Sequence, residues 1–349
     1  MTSFMIKIKV IILVLSFCLI ALILQSCEDF NEFPPSSTNA QTALCFKNYL
    51  GNTQNIHPKV LYFPEKWNGY KFWMAYTPYP KGKTDAENPC IAVSWNGLDW
   101  SIPEGLKNPL AYAPQNGYNS DTHLLYDSYN DRMECWWREY DGKTNRDSFY
   151  RRISSDGINW DEKEKVLDFA LPGVMRLSPA VWISDDVYKL IYSDGTRLFC
   201  IESPRSQTGM RWSEPTELPI KWAGLHAWHH DVITDSNGDL ELVVCAFGPG
   251  DNNNSADLYY VKVRKDLSEA SQPVLILKRG INKNDFDYRS IYRSSLVYVE
   301  GQVYLYYSAI DNRWNRYMSF LYGPSVFELR GLTYEDIWND YPGMGISHN

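Results

Sequence analysis

The chain has 349 residues, 22% of them charged and 15% aromatic, with 25 Tyr and 13 Trp. That length can bury one large core or two smaller ones, and the wealth of Tyr, Trp, Val and Ile favours strands. A net charge of -8 and a pI near 5.3 exclude a nucleic acid partner, whose phosphate backbone needs a basic surface.

Lys7 and Lys9 precede the apolar run VIILVLSFCLIALIL, Val10 to Leu24, and the small Ser26 stands before Cys27. This charged, apolar, small-residue order is that of a secretory signal, and the run is short for a membrane span. LQSC, Leu24 to Cys27, resembles the bacterial lipobox; an uncleaved anchor is the alternative. The resemblance implies cleavage before Cys27 and lipid on its sulfur and new amino group. With Glu28 and Asp29 next, it implies an outer-membrane lipoprotein, anchored to the membrane on the periplasmic or surface side. Residues 1–26 are therefore read as signal peptide, 27–44 as a polar tether and 45–349 as one folded domain, expected to be monomeric. Cys45, Cys90, Cys135, Cys200 and Cys245 remain in that domain. No C-x-x-C occurs, so a thiolate metal site is not expected. Most of the later cysteines sit in strand-like runs, where they read as small buried hydrophobes.

From His57 on, the sequence repeats itself. Each unit is a polar start, an apolar strand, a tight turn, an aromatic strand and then a third strand. The starts are HPKV (His57), DTHLL (Asp121), SPAV (Ser178), HHDV (His229) and YRSS (Tyr292). The turns fall at Asn68-Gly69, Asn130-Asp131, Asp185-Asp186, Asn237-Gly238 and Glu300-Gly301, which is hairpin chemistry. Two units close on S-x-N/D-G-x-x-W, Ser94 to Trp100 and Ser154 to Trp160, and Gly209 to Trp212 is a fragment of it. Few stretches have helical period. Five units spaced by roughly 50–65 residues predict an all-β, five-bladed β-propeller. A pair of β-sandwiches would not explain why each unit restarts with a polar pair. In a propeller those starts converge from every blade onto one central funnel.

The five starts and the closing turns resemble the five-bladed propeller glycoside hydrolases of families 43, 32 and 130, with family 117 a more distant comparison. The resemblance covers about residues 55–323. It implies a carbohydrate substrate and, in the family 43 pattern, an aspartate at the first and second blade starts and a glutamate in blade three. Here the first start is His57, the second Asp121 and the third Ser178, so only Asp121 matches. A histidine acid, as in the family 117 type, suits this chain better.

Glycoside cleavage needs a proton donor and a carboxylate facing one cavity, with pKa values pushed apart. The catalytic candidates are Asp121, Asp231, His229 and His230. Asp121 and His123 share a strand face; a turn-capping aspartate is the plain alternative. His229 and Asp231 also share a face, with His230 on the other, and a carboxylate can hold an imidazole as an acid/base partner. At least one of His226, His229 and His230 reads as a core histidine bonded to backbone. Candidate substrate contacts are His57, Glu87, His123, Arg176, Trp228, Arg293 and Trp314. Arginines at the funnel would meet either these aspartates or an acidic sugar. One strand cannot direct His226, His229 and His230 at one ion, and no H-E-x-x-H occurs. No metal or other cofactor is expected, although a channel cation such as calcium has room. A non-catalytic glycan-binding lipoprotein on a degenerate propeller is the second reading, and a scaffold propeller the third.

Overall fold

The computed structural model describes residues 36–205 and 210–333. The signal segment and Cys27 lie outside the described residues, as does Gly209. Twenty strands form five four-stranded antiparallel sheets, each taken consecutively from the chain. Blade one holds β1 (Asn55–Trp67), β2 (Tyr70–Pro78), β3 (Cys90–Ser94) and β4 (Trp100–Ser101). Blade two holds β5 (Gly117–Asp127), β6 (Arg132–Asp141), β7 (Arg146–Ser154) and β8 (Glu164–Asp168). Blade three holds β9 (Leu177–Ser184), β10 (Val187–Ser193), β11 (Leu198–Pro204) and β12 (Thr216–Glu217). Blade four holds β13 (His226–Thr234), β14 (Leu240–Phe247), β15 (Asp257–Val263) and β16 (Val274–Leu277). Blade five holds β17 (Ser290–Val299), β18 (Gln302–Ile310), β19 (Arg316–Gly323) and β20 (Arg330–Gly331). Each first strand packs against the first strands of its neighbours, and β1 meets both β5 and β17, which closes the ring. The five-bladed propeller expected from the repeat is the fold observed.

The hairpin turns explain the sharp reversals. Asn68-Gly69, Asp185-Asp186 and Glu300-Gly301 all have positive φ at both central residues, the backbone twist that matches paired strands. The two S-x-N/D-G-x-x-W segments are the same small machine built twice. In the second, Gly157 N donates to Ser154 Oγ (2.8 Å), Ile158 N and Asn159 N donate to Asp156 Oδ1, and Trp160 Nε1 donates to the Gly157 carbonyl (3.0 Å). Gly157 has φ +74, and a Cβ there would stand 2.3 Å from the Trp73 ring. The glycine is needed for both conformation and space.

Apolar side chains of facing sheets fill the wedges between blades. One cluster joins Trp73 and Leu124 between blades one and two, another Trp136 and Leu190 between two and three. Three more fill the remaining wedges, around Ile191 and Val244, around Val243 and Tyr307, and around Phe72 and Tyr306. Cys90, Cys135, Cys200 and Cys245 are buried free thiols. Ahead of blade one, Leu44 bridges Met318 on β19, and Ser37 and Asn39 bond Asp287. The described end of the polar stretch before residue 45 thus docks on blade five.

Candidate active site

Every innermost strand carries an irregularity near its start. The pairing slips between Ile56 and Lys59, Ser120 and His123, Ala227 and His229, and Ile291 and Ser294, and β9 slips against β10 between Ala180 and Leu177. Bulges re-aim side chains at the rims of closed sheets. At three of them the displaced residue is left-handed although it is not glycine: His57 (φ +58), Asp121 (φ +56) and Ser178 (φ +56). Such conformations cost of order 1–3 kcal/mol each and persist where the surroundings enforce them. Their effect is to turn residues of successive blades onto the propeller axis.

Two levels of polar side chains result. The upper level contains His57, Asp121, Ser178, His229 and Tyr292. Asp121 Oδ1 lies 3.2 Å from His57 Nε2 and 3.3 Å from His229 Nδ1. Ser178 Oγ is 2.7 Å from His229 Nδ1, and Ser178 N donates to Asp121 Oδ2 at 3.1 Å. Tyr292 packs on both imidazoles, with ring centroids 4.4 Å from His229 and 5.3 Å from His57. Glu87, from the β2–β3 loop, brings Oε1 to 3.2 Å from His57 Nδ1, which also lies 2.9 Å from Thr77 Oγ1. His57, Asp121, His229 and Glu87 are all buried. Part-exposed Tyr79, Trp228 and Tyr292 stand around them.

The lower level lies two residues farther along the first strands of blades one, two and four, and one residue farther in blades three and five. Lys59 Nζ bonds both carboxylate oxygens of Asp231 (2.8 and 2.9 Å) and the Val232 carbonyl. Leu296 N donates to Asp231 Oδ2, and His123 Nδ1 lies 3.7 Å from Asp231 Oδ1. Arg293 Nη2 reaches His123 Nδ1 (3.4 Å) and the Pro179 carbonyl (3.3 Å), while His123 Nε2 lies 2.9 Å from the Val181 carbonyl. Lys59, His123, Pro179, Asp231 and Arg293 come from five different blades, so this level pins the ring together.

The electrostatics separate the groups of the upper level. Burial alone would raise the Asp121 carboxyl, but His229, His57, Arg138 and Arg293 around it hold it below the usual carboxylate range. Burial pushes His57 well below the ordinary imidazole value and His229 down to about 4. Burial, with the Asp121 charge behind it, pushes Glu87 well above the usual carboxylate value. The surroundings thus push the two carboxyls apart, Asp121 toward the carboxylate and Glu87 toward the protonated acid, and press both imidazoles toward the neutral form.

That donor set fits a metal ion. His57, Asp121 and His229 each offer one ligand atom, all within 4.8 Å of one another. His57 Nε2, Asp121 Oδ1 and His229 Nε2 are buried without a hydrogen-bond partner, a state that costs free energy unless something else binds them. Two nitrogens and one oxygen suit a borderline divalent ion such as zinc. Three protein ligands is the number found in catalytic rather than structural zinc sites. Thr77 and Glu87 offer His57 Nδ1 two oxygens closer than the 3.3 Å contact from Asp121 N. Either oxygen can accept a hydrogen bond from Nδ1–H, which leaves Nε2 bare, the usual role of partners behind a metal-bound histidine.

The remaining sequence candidates take distinct places. His229 and Asp231 both turn to the axis, but at the two levels and with different partners. His230 points into the wedge between blades three and four, where Nε2 meets the Ile191 carbonyl at 3.1 Å. Trp228 lies beside His229, with ring centroids 5.8 Å apart. Arg176 lies over Phe169 and Tyr192 at the rim of blade three. Trp314, 40% exposed, sits in the β18–β19 loop. His226 is exposed and stacked on Phe247. From sequence, Tyr292 stood only as the start of the fifth unit, and Lys59, Arg138 and Arg316 were not singled out. Lys59 could have been, since it follows His57 by the same two-residue step that links Asp121 to His123.

No family model matches the chain. A curated relative, the A type blood N-acetyl-alpha-D-galactosamine deacetylase of Flavonifractor plautii, is 28% identical over 76% of this chain. The chain spans about two-fifths of that relative's length, 41%. Among solved structures, an N-acetylgalactosamine deacetylase from F. plautii in complex with blood group B trisaccharide superposes with TM-score 0.67 at 23% identity, covering 83% of this chain and 94% of that one. A thermostable family-43 glycoside hydrolase gives 0.57 at 11% identity, covering 80% and 92%. An exo-1,5-alpha-L-arabinanase from a bovine ruminal metagenomic library gives 0.55 at 11%, covering 77% and 93%. The similar proteins are carbohydrate-active propeller enzymes, and this chain is a five-bladed β-propeller of the architecture they share.

Proposed function

We propose that this chain is a carbohydrate-active hydrolase that binds one divalent metal ion through His57, Asp121 and His229 and removes the acetyl group from an N-acetylated sugar. The observation that carries this reading is the convergence at the propeller axis of three buried residues from three blades, with ligand atoms within 4.8 Å of one another and each keeping a buried atom without a hydrogen-bond partner. Similarity to a deacetylase of an N-acetylated galactosamine supports the choice of bond. A divalent ion bound there supplies Lewis-acid polarisation of a carbonyl and activation of water. In amide hydrolysis water oxygen joins the acetyl carbon, the C–N bond breaks, and the leaving nitrogen takes up a proton. Glu87, pushed by burial toward its protonated form and lying against His57, is the residue positioned to deliver that proton. Tyr292 and Trp228 offer aromatic faces for a sugar ring beside the imidazoles. The anchor read from LQSC, with lipid on Cys27, would hold this activity at the cell envelope.

Glycosidic cleavage is the second reading. It is favoured by one observation: Glu87 and Asp121 are neighbouring carboxyls whose surroundings push one up and the other down, the split an acid/base pair needs. A screen of N-acetylated and plain oligosaccharides, scored for both acetate and new reducing ends, separates the readings. Acetate release lost on chelation and restored by zinc is expected. New reducing ends without acetate would favour the glycosidase. Binding without either product would leave a glycan-binding protein.

A further inference from the structure

We infer that the rim of blade five, beside the axial site, is a subsite for an acidic substituent, a sulfate or carboxylate, on the bound glycan. This rests on the reading that the axial face binds carbohydrate. Lys278 and Arg279 follow β16, Arg289 precedes β17, and Trp314 lies in the β18–β19 loop. All four lie on the face where the first strands start. The first three line a hollow of about 590 Å³ between blades four and five.

In a chain of net charge -8 this rim is locally cationic. Arg279 has its own counter-ions, Asp257 at 3.2 Å and Asp251 at 3.5 Å. Among the described residues no carboxylate comes within 4.0 Å of Lys278, Arg289 or Arg316. Arg289 instead stacks on Trp314, its guanidinium 4.2 Å from the ring centroid, and its Nε is buried without a partner. Arg316 approaches the same ring at 5.7 Å and donates to the Trp314 carbonyl. Arg316 is only 4% exposed, and its Nε also lacks a partner. Buried guanidinium donors are normally satisfied, and a planar fork held on an aromatic face is pre-organised for carboxylate or sulfate oxygens.

The backbone is built around this arrangement. Trp314 has φ +66, which strains a bulky residue. Asp311 holds the loop through bonds from Arg313 N and Asn315 N (2.8 and 2.7 Å). In this conformation the indole lies against both Arg289 and Arg316, and Arg316 also lies 4.9 Å from the Tyr79 ring centroid. A glycan seated at the axis and running outward over blade five would pass its next residue across these cations.

Calorimetry of the whole chain with three hexasaccharides tests this: chondroitin sulfate, its desulfated form retaining the uronates, and a neutral chitin fragment. The expected order is sulfated, then desulfated, then neutral, with at least a tenfold span. The span should shrink as NaCl is raised from 0.05 to 0.3 M. Lys278→Ala and Arg289→Gln should each remove several-fold of the sulfated preference and leave neutral binding unchanged, which also reports an intact fold. Equal affinity for all three, or a preference untouched by both substitutions, overturns the proposal. The two proposals fail separately. Charge preference kept in a chain that releases no acetate overturns only the deacetylase reading, and acetate release without charge preference overturns only this one.

Discussion

The two axial levels are built from the same five strands, one or two residues apart, yet they end in opposite states. In the lower one Lys59 and Asp231 satisfy each other, and Asp231 also takes a backbone N–H. In the upper one His57, Asp121 and His229 crowd together with lone pairs unspent. Burial is similar in both, so burial does not mark the site. What marks it is that its uncompensated atoms belong to metal-ligating side chains, whereas those of the lower level, Arg293 Nε and Nη1, are donors only. A cation already built into the chain, Lys59, fills the lower level; the upper level has the donors for a cation and, among the described residues, no Lys or Arg in ion-pair contact with Asp121.

The largest effect that separates the levels is expected at Asp121. Asp121→Asn should lower zinc affinity by more than about a hundredfold and bring acetate release to background, with the far-ultraviolet spectrum unchanged. Unaltered zinc affinity, measured calorimetrically, would place the ion elsewhere. Glu87→Gln should keep the ion and lower turnover by about 10²–10⁴-fold, the usual contribution of a proton-transfer group. A loss of zinc equal to that of Asp121→Asn would make Glu87 a ligand rather than a proton donor.

Asp231→Asn should instead act on folding. It strands Lys59 in a buried position, which costs about 3–5 kcal/mol when one partner of such a pair is removed. Urea denaturation checks this. The double substitution Lys59→Met with Asp231→Leu should recover most of the loss, because replacing both charges by apolar groups is often neutral. Should Asp231→Asn abolish acetate release in a chain as stable as wild type, the lower level would be part of the chemistry.

The smallest expected effect is on pH dependence. Burial holds His123 well below the ordinary imidazole value and His230 down to about 3. Both stay neutral when folded and take up protons when unfolded. Stability is therefore full above the unfolded pKa of about 6.5 and declines as pH falls toward the folded values. Between pH 7 and 5 His230 should account for a loss of about 2 kcal/mol, and His123 for a loss in the same direction. His230→Asn should flatten the urea midpoint against pH; a slope equal to wild type would mean that His230 does not titrate on unfolding.

The architecture was legible because it is repeated. Five hairpin turns and five polar starts encode five blades, and Gly157 under the Trp73 ring shows why the closing turn keeps its pattern. The starts also placed His57, Asp121 and His229 on the axis. Their grouping was not legible, because it depends on bulges. Strand alternation alone puts His229 and Asp231 on one face, and it cannot say that Lys59 meets one while Asp121 meets the other. Nor does a glutamate in a loop, Glu87, announce from sequence that it is buried against His57. A donor set drawn from three blades has no local spacing to read, unlike a run such as His226 to His230.

The most direct measurement is anomalous diffraction at the zinc edge from crystals of the chain grown with zinc. One peak bonded to His57, Asp121 and His229, with Lys59 still on Asp231, is the expected result. An upper level without a peak at saturating zinc, or a peak at His226 and His230, would contradict the division of the axis into an open and a filled level.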